Sequence, residues 1–347
     1  MNVSGYFAAS NSGCGFKNYY PNVFGGADRI YVIKGGPGTG KSRFMRDISD
    51  YAVERGWRCE HYLCSSDPAS LDGILLSREG QSIAVIDGTP PHAWEPDSPG
   101  VREEIVNLGE FWNADALREH AAELESLNKQ KKACWRRAYK WLEGCLDMCG
   151  IIRGIGERLV DGERVRDRAQ SILEGVADGD GFSMRTALID SVGMQGRAHS
   201  NEFYDRAQTL YIVRDSFMSA NLLLRCCIEQ ARLKGLGTVV SYDPIDPERV
   251  DGVLIESRGL AIVVSDDTPE REYIAVDMAD LCVVPNTESA DEARRAEQCY
   301  DSMLAGATDA LADVRRYHFE VEKIYVQAMD FEAKQRFTAE FCRKTFS

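Results

Sequence analysis

The chain has 347 residues, 44% of them hydrophobic and 28% charged, with a formal net charge of −14. These values are ordinary for a soluble globular protein with two domains or one large one. The acidic balance argues against nonspecific binding to nucleic acid, and no apolar run is long enough to span a bilayer.

The start of the chain, Met1 to Phe7, has no basic segment followed by an apolar core, so the sequence predicts no secretory signal. Eleven cysteines are scattered without the repeated pairs that are typical of zinc sites. We therefore expect reduced thiols in a cytoplasmic protein.

Aromatic residues are frequent before the first strong strand pattern. They include Phe7, Phe16, Tyr19, Tyr20 and Phe24. Such side chains either pack in the core or stack on a nucleobase, and core packing is the expectation here.

The next segment, Arg29 to Lys34, predicts a buried strand, and helical apolar spacing begins at Ser42. Between them, Gly-Gly-Pro-Gly-Thr-Gly-Lys-Ser fits the P-loop, or Walker A, pattern. Glycines let backbone N–H groups surround phosphate oxygens, while the lysine and hydroxyl meet the terminal phosphates and Mg²⁺. The predicted nucleotide contacts are Gly36, Gly38, Thr39, Gly40, Lys41, Ser42 and Arg43, with Lys41 also catalytic and Ser42 also a Mg²⁺ ligand.

A second strand is predicted over Arg58 to Cys64, and Ser65, Ser66 and Asp67 follow at its carboxyl end. Ligand sites in open α/β sheets lie at such ends, so these residues are candidates to contact the γ-phosphate, the water or the metal. Capping and turn formation explain the same residues without a ligand.

The run Ile83 to Asp87 has the Walker B form, a buried strand that ends in an acid. Asp87 is therefore the predicted second Mg²⁺ ligand and a catalytic residue, although a strand-end aspartate that starts a turn is the alternative. Gly88 stands where many P-loop ATPases carry a catalytic glutamate, so we expect slow hydrolysis. The downstream acids are candidates to replace it, but they are expected to be solvated; they are Glu95, Glu103 and Glu104.

Two predicted helices come next. Val101 to Trp112 has helical character, and Asn113 is a reasonable N-cap for a helix from Ala114 towards Met148, about 50 Å long. Basic and aromatic residues alternate in the middle of this long helix, which indicates either a solvated face or a binding surface for nucleic acid or a partner.

The sequence repeats at a spacing of 179 to 180 residues. Leu71-Asp72-Gly73 returns as Val250-Asp251-Gly252, and the segment that ends Asp87-Gly88-Thr89-Pro90 returns as one that ends Asp266-Asp267-Thr268-Pro269. The chain is therefore predicted to be α/β, with two tandem P-loop-type lobes, each a mostly parallel sheet flanked by helices, over residues 1–178 and 179–347. Because Asp72 persists in both halves, we expect a structural turn role for it.

The sequence leaves open the roles of His92 and of two repeated arginine pairs. His92 has no histidine counterpart, since that position holds Arg271, and it either faces substrate or is a satisfied loop histidine. The repeated Arg136-Arg137 and Arg315-Arg316 pairs either hold the lobes together or reach a nucleotide, and the sequence assigns neither role.

In the second half, the register places Asp215 to Leu222 opposite the P-loop. This segment has no glycine, and the lysine and serine positions hold Asn221 and Leu222. Asp215 puts a negative charge where phosphate would lie, which opposes an anion. The second lobe is therefore predicted not to bind nucleotide and to be structural or regulatory.

These residues resemble an uncharacterised family of bacterial tandem P-loop ATPases. The resemblance runs through Arg29 to Ser42, Cys64 to Asp67 and Ile86 to His92, and it extends over the whole chain. It implies two P-loop lobes, often with a second glycine loop, from which this chain departs.

The sequence thus predicts an ATP-binding protein that holds one Mg-ATP and is a slow ATPase or nucleotide-dependent switch, with a protein partner of unknown identity. A small-molecule kinase and a scaffold with a structural nucleotide are the alternatives. A nucleic-acid motor has the weakest support, because the chain is acidic.

Overall fold

The computed structural model describes residues 3–346. Met1, Asn2 and Ser347 lie outside the described residues, and with them the outer ends of the two predicted lobes and the start of the segment Met1 to Phe7. In the first half the elements are β1 (Val3–Phe7), β2 (Ala9–Ser12), β3 (Gly15–Asn18), α1 (Tyr20–Phe24), β4 (Arg29–Lys34), α2 (Lys41–Val53), β5 (Arg58–Leu63), β6 (Leu71–Arg78), β7 (Gln81–Asp87), β8 (Glu103–Asn107), a 3₁₀ turn (Leu108–Phe111), α3 (Ala114–Glu119), α4 (Ala121–Leu159) and α5 (Gly162–Ile172).

The second half follows the same order, without a counterpart of α3. Its elements are β9 (Met184–Thr186), β10 (Asp190–Gly193), β11 (Gly196–His199), α6 (Glu202–Arg206), β12 (Thr209–Arg214), α7 (Ala220–Leu233), β13 (Thr238–Tyr242), β14 (Val250–Ile255), a 3₁₀ turn (Glu256–Arg258), β15 (Leu260–Val264), β16 (Ile274–Asp277), a 3₁₀ turn (Met278–Leu281), α8 (Thr287–Gln327) and α9 (Phe331–Thr345).

The structure is mixed α/β, with two six-stranded, mostly parallel sheets and two small hairpins. The strand orders correspond: β1-β5-β6-β7-β4-β8 in one sheet and β9-β13-β14-β15-β12-β16 in the other. In the first sheet β4 pairs in parallel with β7 and β8, and β6 runs antiparallel to both of its neighbours. The second sheet has the same pattern around β12 and β14.

The repeated Asp-Gly pair has a packing reason in both halves. A Cβ on Gly73 would lie 2.5 Å from the ring of Phe24, and one on Gly252 would lie 3.0 Å from the ring of Phe203. Each ring therefore lies directly on a strand backbone, which only glycine permits at that distance.

The two sheets share one hydrophobic core. Ile30 and Val32 of β4 belong to the same buried cluster as Ile212 of β12, and the rings of Tyr6 and Phe203 lie 6.2 Å apart in an edge-to-face arrangement. The backbone N–H groups of Phe7 and Leu188 each donate to the other residue's carbonyl. One face of each sheet is thus buried against the other half of the chain.

The long helices α4 and α8 pack side by side and antiparallel. Leu124 near the start of α4 clusters with Ile324 near the end of α8, and a Cβ on Gly144 would meet Met303. The exposed pair Arg137–Asp313 also joins them.

The short helices that follow α4 and α8 cover the sheet of the opposite half. Val165 of α5 packs with Leu223 of α7 in the core of the second sheet, whereas Phe341 of α9 packs on Phe44 and Tyr31 at the first sheet. Residues 173–183, which include the predicted boundary, form a turn and an irregular linker.

Two helix predictions were wrong. Val101 to Trp112 is not a helix, because residues 103–107 pair in parallel with β4 as the edge strand β8. The predicted helix from Ala114 is interrupted at His120, where φ is −97° and ψ is 11°, and α4 then continues to Leu159. The Asn113 cap is confirmed, since its side chain accepts from the N–H of Ala116.

Most of the early aromatic residues pack in the core, as predicted. Phe7, Tyr19, Tyr20 and Phe24 are buried. Within residues 3–346, no helix is both long enough and apolar enough to cross a membrane.

Because the core is shared, we expect Phe203→Ala to destabilise the whole chain by about 3–5 kcal/mol in a single unfolding transition. Denaturant unfolding followed by circular dichroism and by tryptophan fluorescence measures this. The exposed Phe182→Ala is the control, with an effect within about 0.5 kcal/mol. Separate transitions for the two halves would contradict the shared core.

Candidate functional site

The glycine loop lies between the carboxyl end of β4 and the start of α2. Gly38 and Gly40 both have φ of +74°, a left-handed conformation that favours glycine. Gly40 is also the N-cap of α2, so the first N–H groups of this helix face the loop. The strand, loop and helix predicted from the sequence are confirmed at this place.

Lys41 folds back across the loop. Its Nζ donates to the carbonyl oxygens of Gly35 and Gly36 at 3.0 and 2.9 Å, and it lies 3.5 Å from Oδ2 of Asp87. The ammonium group is therefore held beside the loop by weak neutral acceptors and one carboxylate. An incoming anion of higher charge would compete well for it.

Asp87 ends β7, which pairs directly with β4, so it lies opposite Ile33 in the register. Its Oδ1 accepts from the N–H and hydroxyl of Thr89. Burial raises the pKa of Asp87 above its usual value, and the nearby charge of Lys41 only partly opposes this. The carboxylate is thus poorly compensated, which favours a further cation beside it.

Ser42 and Arg43, the next two predicted nucleotide contacts, are engaged with other residues of the chain. The Oγ of Ser42 accepts from the N–H of Leu71 at 3.0 Å and keeps one lone pair. Arg43 is paired with Asp47 on the same helix, and its side chain is 75% exposed. Thr39 donates to the carbonyl of Gly36, which fixes the shape of the loop.

A cavity of about 620 Å³ opens in front of this loop. That volume is within the range of small-molecule sites. Its walls come from the loop, the ends of β5 and β7, and the helices α4 and α8; they include Lys34, Gly35, Gly36, Lys41, Ser66, Asp72, Asp87, His92, Trp112, Lys131, Trp135, Met194 and His318. Three lysines face two aspartates, which favours an anionic ligand.

A buried ion pair in this cavity was not predicted. His92 Nε2 lies 3.0 Å from Oδ2 of Asp72, and both side chains are less than 10% exposed. The ring of His92 stacks on Tyr20 at a centroid distance of 5.2 Å, and its Nδ1 has no hydrogen-bond partner. The predicted turn role of Asp72 was therefore wrong: Asp72 lies in the strand β6 and orients His92.

The charges of the pair shift both pKa values. Burial alone disfavours both ions, but the two charges outweigh it, so the pKa of Asp72 is lowered and that of His92 is raised. The sequence gives one signal that His92 has a special role, which is that the repeated position in the second half is not a histidine. The contact between His92 and Asp72 has no sequence signal, because spacing does not show that β6 and the loop after β7 meet.

The thiol of Cys64 joins this pair, and the three ligand atoms lie within 4.8 Å of one another. Burial keeps the pKa of Cys64 well above its ordinary value, so the sulfur is a neutral thiol and a poor metal ligand. We assign no metal to this group.

The other candidate acids do not reach the cavity. Glu95 pairs with Lys34 and Glu104 with Arg29, while Glu103 is buried and accepts from the N–H of Ser98. Glu103 is therefore not the solvated acid that was expected.

The three candidate residues after β5, Ser65, Ser66 and Asp67, have different surroundings. Asp67 accepts from the side chain of Gln195, Ser66 lines the cavity, and the hydroxyl of Ser65 is buried without a partner.

The second half of the chain contributes directly to the first site. A Cβ on Gly38 would lie 2.9 Å from the carbonyl oxygen of Glu322 on α8, and the ring of Tyr325 lies beside Trp112 at 5.3 Å. A change in the conformation of the loop would therefore displace α8, because the two backbones are in contact.

The corresponding loop of the second half is one residue shorter, which corrects the predicted register. Leu71 N–H donates to Ser42, and Val250 N–H donates in the same way to Asn221. Asn221 thus takes the place of Ser42 and not of Lys41. Asp215 accepts from the N–H of Ala220 at 2.8 Å and pairs with a guanidinium, so it fills the anion position itself.

Compared with known proteins, the chain matches no family model, no curated protein and no solved structure.

We expect Asp72→Asn to destabilise the protein by about 3–5 kcal/mol near pH 6, because it leaves His92 buried without its partner. A raised histidine pKa stabilises the fold below about pH 6.5 and loses this effect as the pH rises through the folded-state value. The difference in the free energy of unfolding between the wild type and Asp72→Asn should therefore become smaller as the pH rises towards 9, as measured by urea unfolding at a series of pH values. The counterpart Asp251→Asn, which breaks no ion pair, should show no such loss.

Proposed function

We propose that the chain is a tandem P-loop protein that binds one Mg-ATP at the first glycine loop and acts as a slow ATPase or nucleotide-dependent switch. The observation that carries the proposal is the position of Lys41, which lies 3.5 Å from the strand-end carboxylate of Asp87 beneath a left-handed glycine loop. This is the arrangement that binds nucleotide phosphates and their metal.

The residues fit Mg²⁺, which prefers hard oxygen ligands. Ser42 keeps a lone pair on Oγ, and Asp87 has a buried carboxylate with too little compensating charge. These two residues would hold the ion, whose charge offsets that of the phosphates. Trp112, which lines the cavity beside the loop, offers the nucleobase a flat apolar surface.

A switch is supported by the contact between the loop and α8. Because Gly38 lies against the backbone of Glu322, ordering of the loop by phosphate would shift the position of a 41-residue helix. The eleven cysteines are all unpaired, which fits the cytoplasm as the compartment.

A specific observation also favours phosphoryl transfer. His92 lines the same cavity, is oriented by Asp72 and has a buried Nδ1 without a hydrogen-bond partner among the described residues. In this step, an oxygen of water or of an acceptor hydroxyl attacks the γ-phosphorus while the bond to the ADP oxygen breaks. The proton that the attacking oxygen loses passes to Nδ1 of neutral His92, the form present above its raised pKa, in which Asp72 holds the other ring proton on Nε2. Water makes the protein an ATPase, and an acceptor makes it a small-molecule kinase.

We expect Lys41→Ala to weaken Mg-ATP binding by about 10- to 100-fold, since it removes a charge-assisted hydrogen bond to phosphate. Isothermal titration calorimetry on the full chain measures the change. Asn221→Ser in the second loop keeps its hydrogen-bond acceptor and should bind Mg-ATP like the wild type. Equal affinity of Lys41→Ala and wild type would refute the nucleotide site.

We expect His92→Gln to lower kcat by at least about 100-fold with little change in the Kd for Mg-ATP, because a general base acts on the chemical step. Release of ADP and phosphate, with and without a panel of hydroxyl acceptors, distinguishes hydrolysis from transfer. A purely structural His92 would instead change Kd and stability and leave kcat within a few-fold.

A further inference from the structure

The second sheet has its own cavity at the place that corresponds to the nucleotide cavity. Its volume is about 570 Å³, and its walls come from the β10–β11 hairpin, the loops after β12, β13 and β15, and the helices α4 and α8. It is therefore large enough for a small organic molecule.

The charge of this cavity is opposite to that of the first. Seven carboxylates line it, against two guanidinium groups and one histidine. Asp190 is paired with Arg197 and His199, while Asp215 and Asp243 share Arg249. The bases are thus engaged by three of the acids, and the remaining acids give the cavity a net negative charge.

Of the four acids in this cavity that form no ion pair with the described residues, Asp251 is the buried one. It is only 5% exposed, and among the described residues neither carboxylate oxygen has a hydrogen-bond partner of normal geometry, although the Ser241 hydroxyl is near enough to oppose the rise in its pKa. Its counterpart Asp72 is paired with His92, but the residue at the histidine position here, Arg271, donates instead to the carbonyl of Tyr204. A buried carboxylate without a partner is costly, so an external donor would bind there favourably.

The loop beside this carboxylate is unusual for a second reason. Phe217 and Met218 both have φ of +54° although neither is glycine. Such conformations cost about 1–3 kcal/mol each and cluster at active sites, ligand-binding segments and switch regions. Both side chains line the cavity together with Ile152 and Tyr300, so an apolar wall lies near the acids.

From this geometry we propose that the second cavity binds a small aliphatic amine, whose ammonium group pairs with Asp251 while its carbon chain lies on Phe217, Met218, Ile152 and Tyr300. A bare metal ion fits less well. Among the described residues, three ligand atoms of the kind that bind metals do not gather within 4.8 Å in this cavity. Phosphate is excluded because Asp215 already occupies the anion position.

Binding of an ammonium ion should release up to one proton to the buffer, which comes from the carboxyl of Asp251 while the ligand keeps its own protons. Burial, followed by the charges of Asp190 and Asp243, raises the pKa of Asp251, so an ammonium ion must ionise the carboxyl as it binds. Arg197 on the β10–β11 hairpin opposes this shift, while Asp266, Asp267 and Glu297 add to the negative field of the cavity.

The test is calorimetric titration of the full chain with putrescine, cadaverine and spermidine at low salt, in two buffers of different ionisation enthalpy. We expect saturable binding, with a buffer-dependent enthalpy that reports proton release. Asp251→Asn should weaken binding at least tenfold. Asp266→Asn, an exposed acid of the same cavity, should change it less than threefold.

Asp251→Asn keeps the shape and neutral charge of the protonated side chain, so we expect it to fold, which circular dichroism checks. Three results would overturn the proposal: no amine binds, amines bind equally well to Asp251→Asn, or Mg²⁺, Mn²⁺ or Ca²⁺ binds at Asp251 in their place. Lys41→Ala should retain amine binding. The proposal of a nucleotide site and the proposal of an amine site can therefore fail independently of each other.

Discussion

The rest of the structure depends on burial of one face of each sheet against the other. Apolar residues of β4 and β12 belong to a single cluster, and each opposite face is covered by that half's own helix, α2 or α7, together with a helix from the other half. Neither half therefore buries all of its apolar surface alone, and removal of that surface from water is the dominant stabilising term. The chain is in this sense one folding unit built from a repeated sequence.

This arrangement also explains how one fold has two cavities of opposite charge. Corresponding strands deliver residues to corresponding places, so local substitutions decide the chemistry. Lys41 and His92 make the first cavity suited to anions, whereas Asp215 fills the loop position and Asp251 stays unpaired in the second. The strand order is the same in both sheets, whereas the side chains at the two cavities differ.

Several features of the first site were predictable because they are local. A glycine loop directly joins β4 to α2, and Asp87 ends the strand that pairs with β4. Local spacing failed where pairing partners decide the structure: residues 103–107 became a strand because β4 offered a free edge. The one-residue shift at Asn221 left a signal, because the repeat spacing falls from 180 to 179 residues, but the spacing does not show where the residue is missing.

The sequence by itself determined the glycine loop, its strand and helix, the strand-end carboxylate and the existence of the repeat. Those features rest on backbone conformation and periodicity over a few neighbouring residues. Only the tertiary structure decided that Asp72 orients His92, that α9 covers the first sheet and that α8 lies against the glycine loop. Such contacts join residues far apart in the chain, and they form because two sheets must hide their apolar faces in one core.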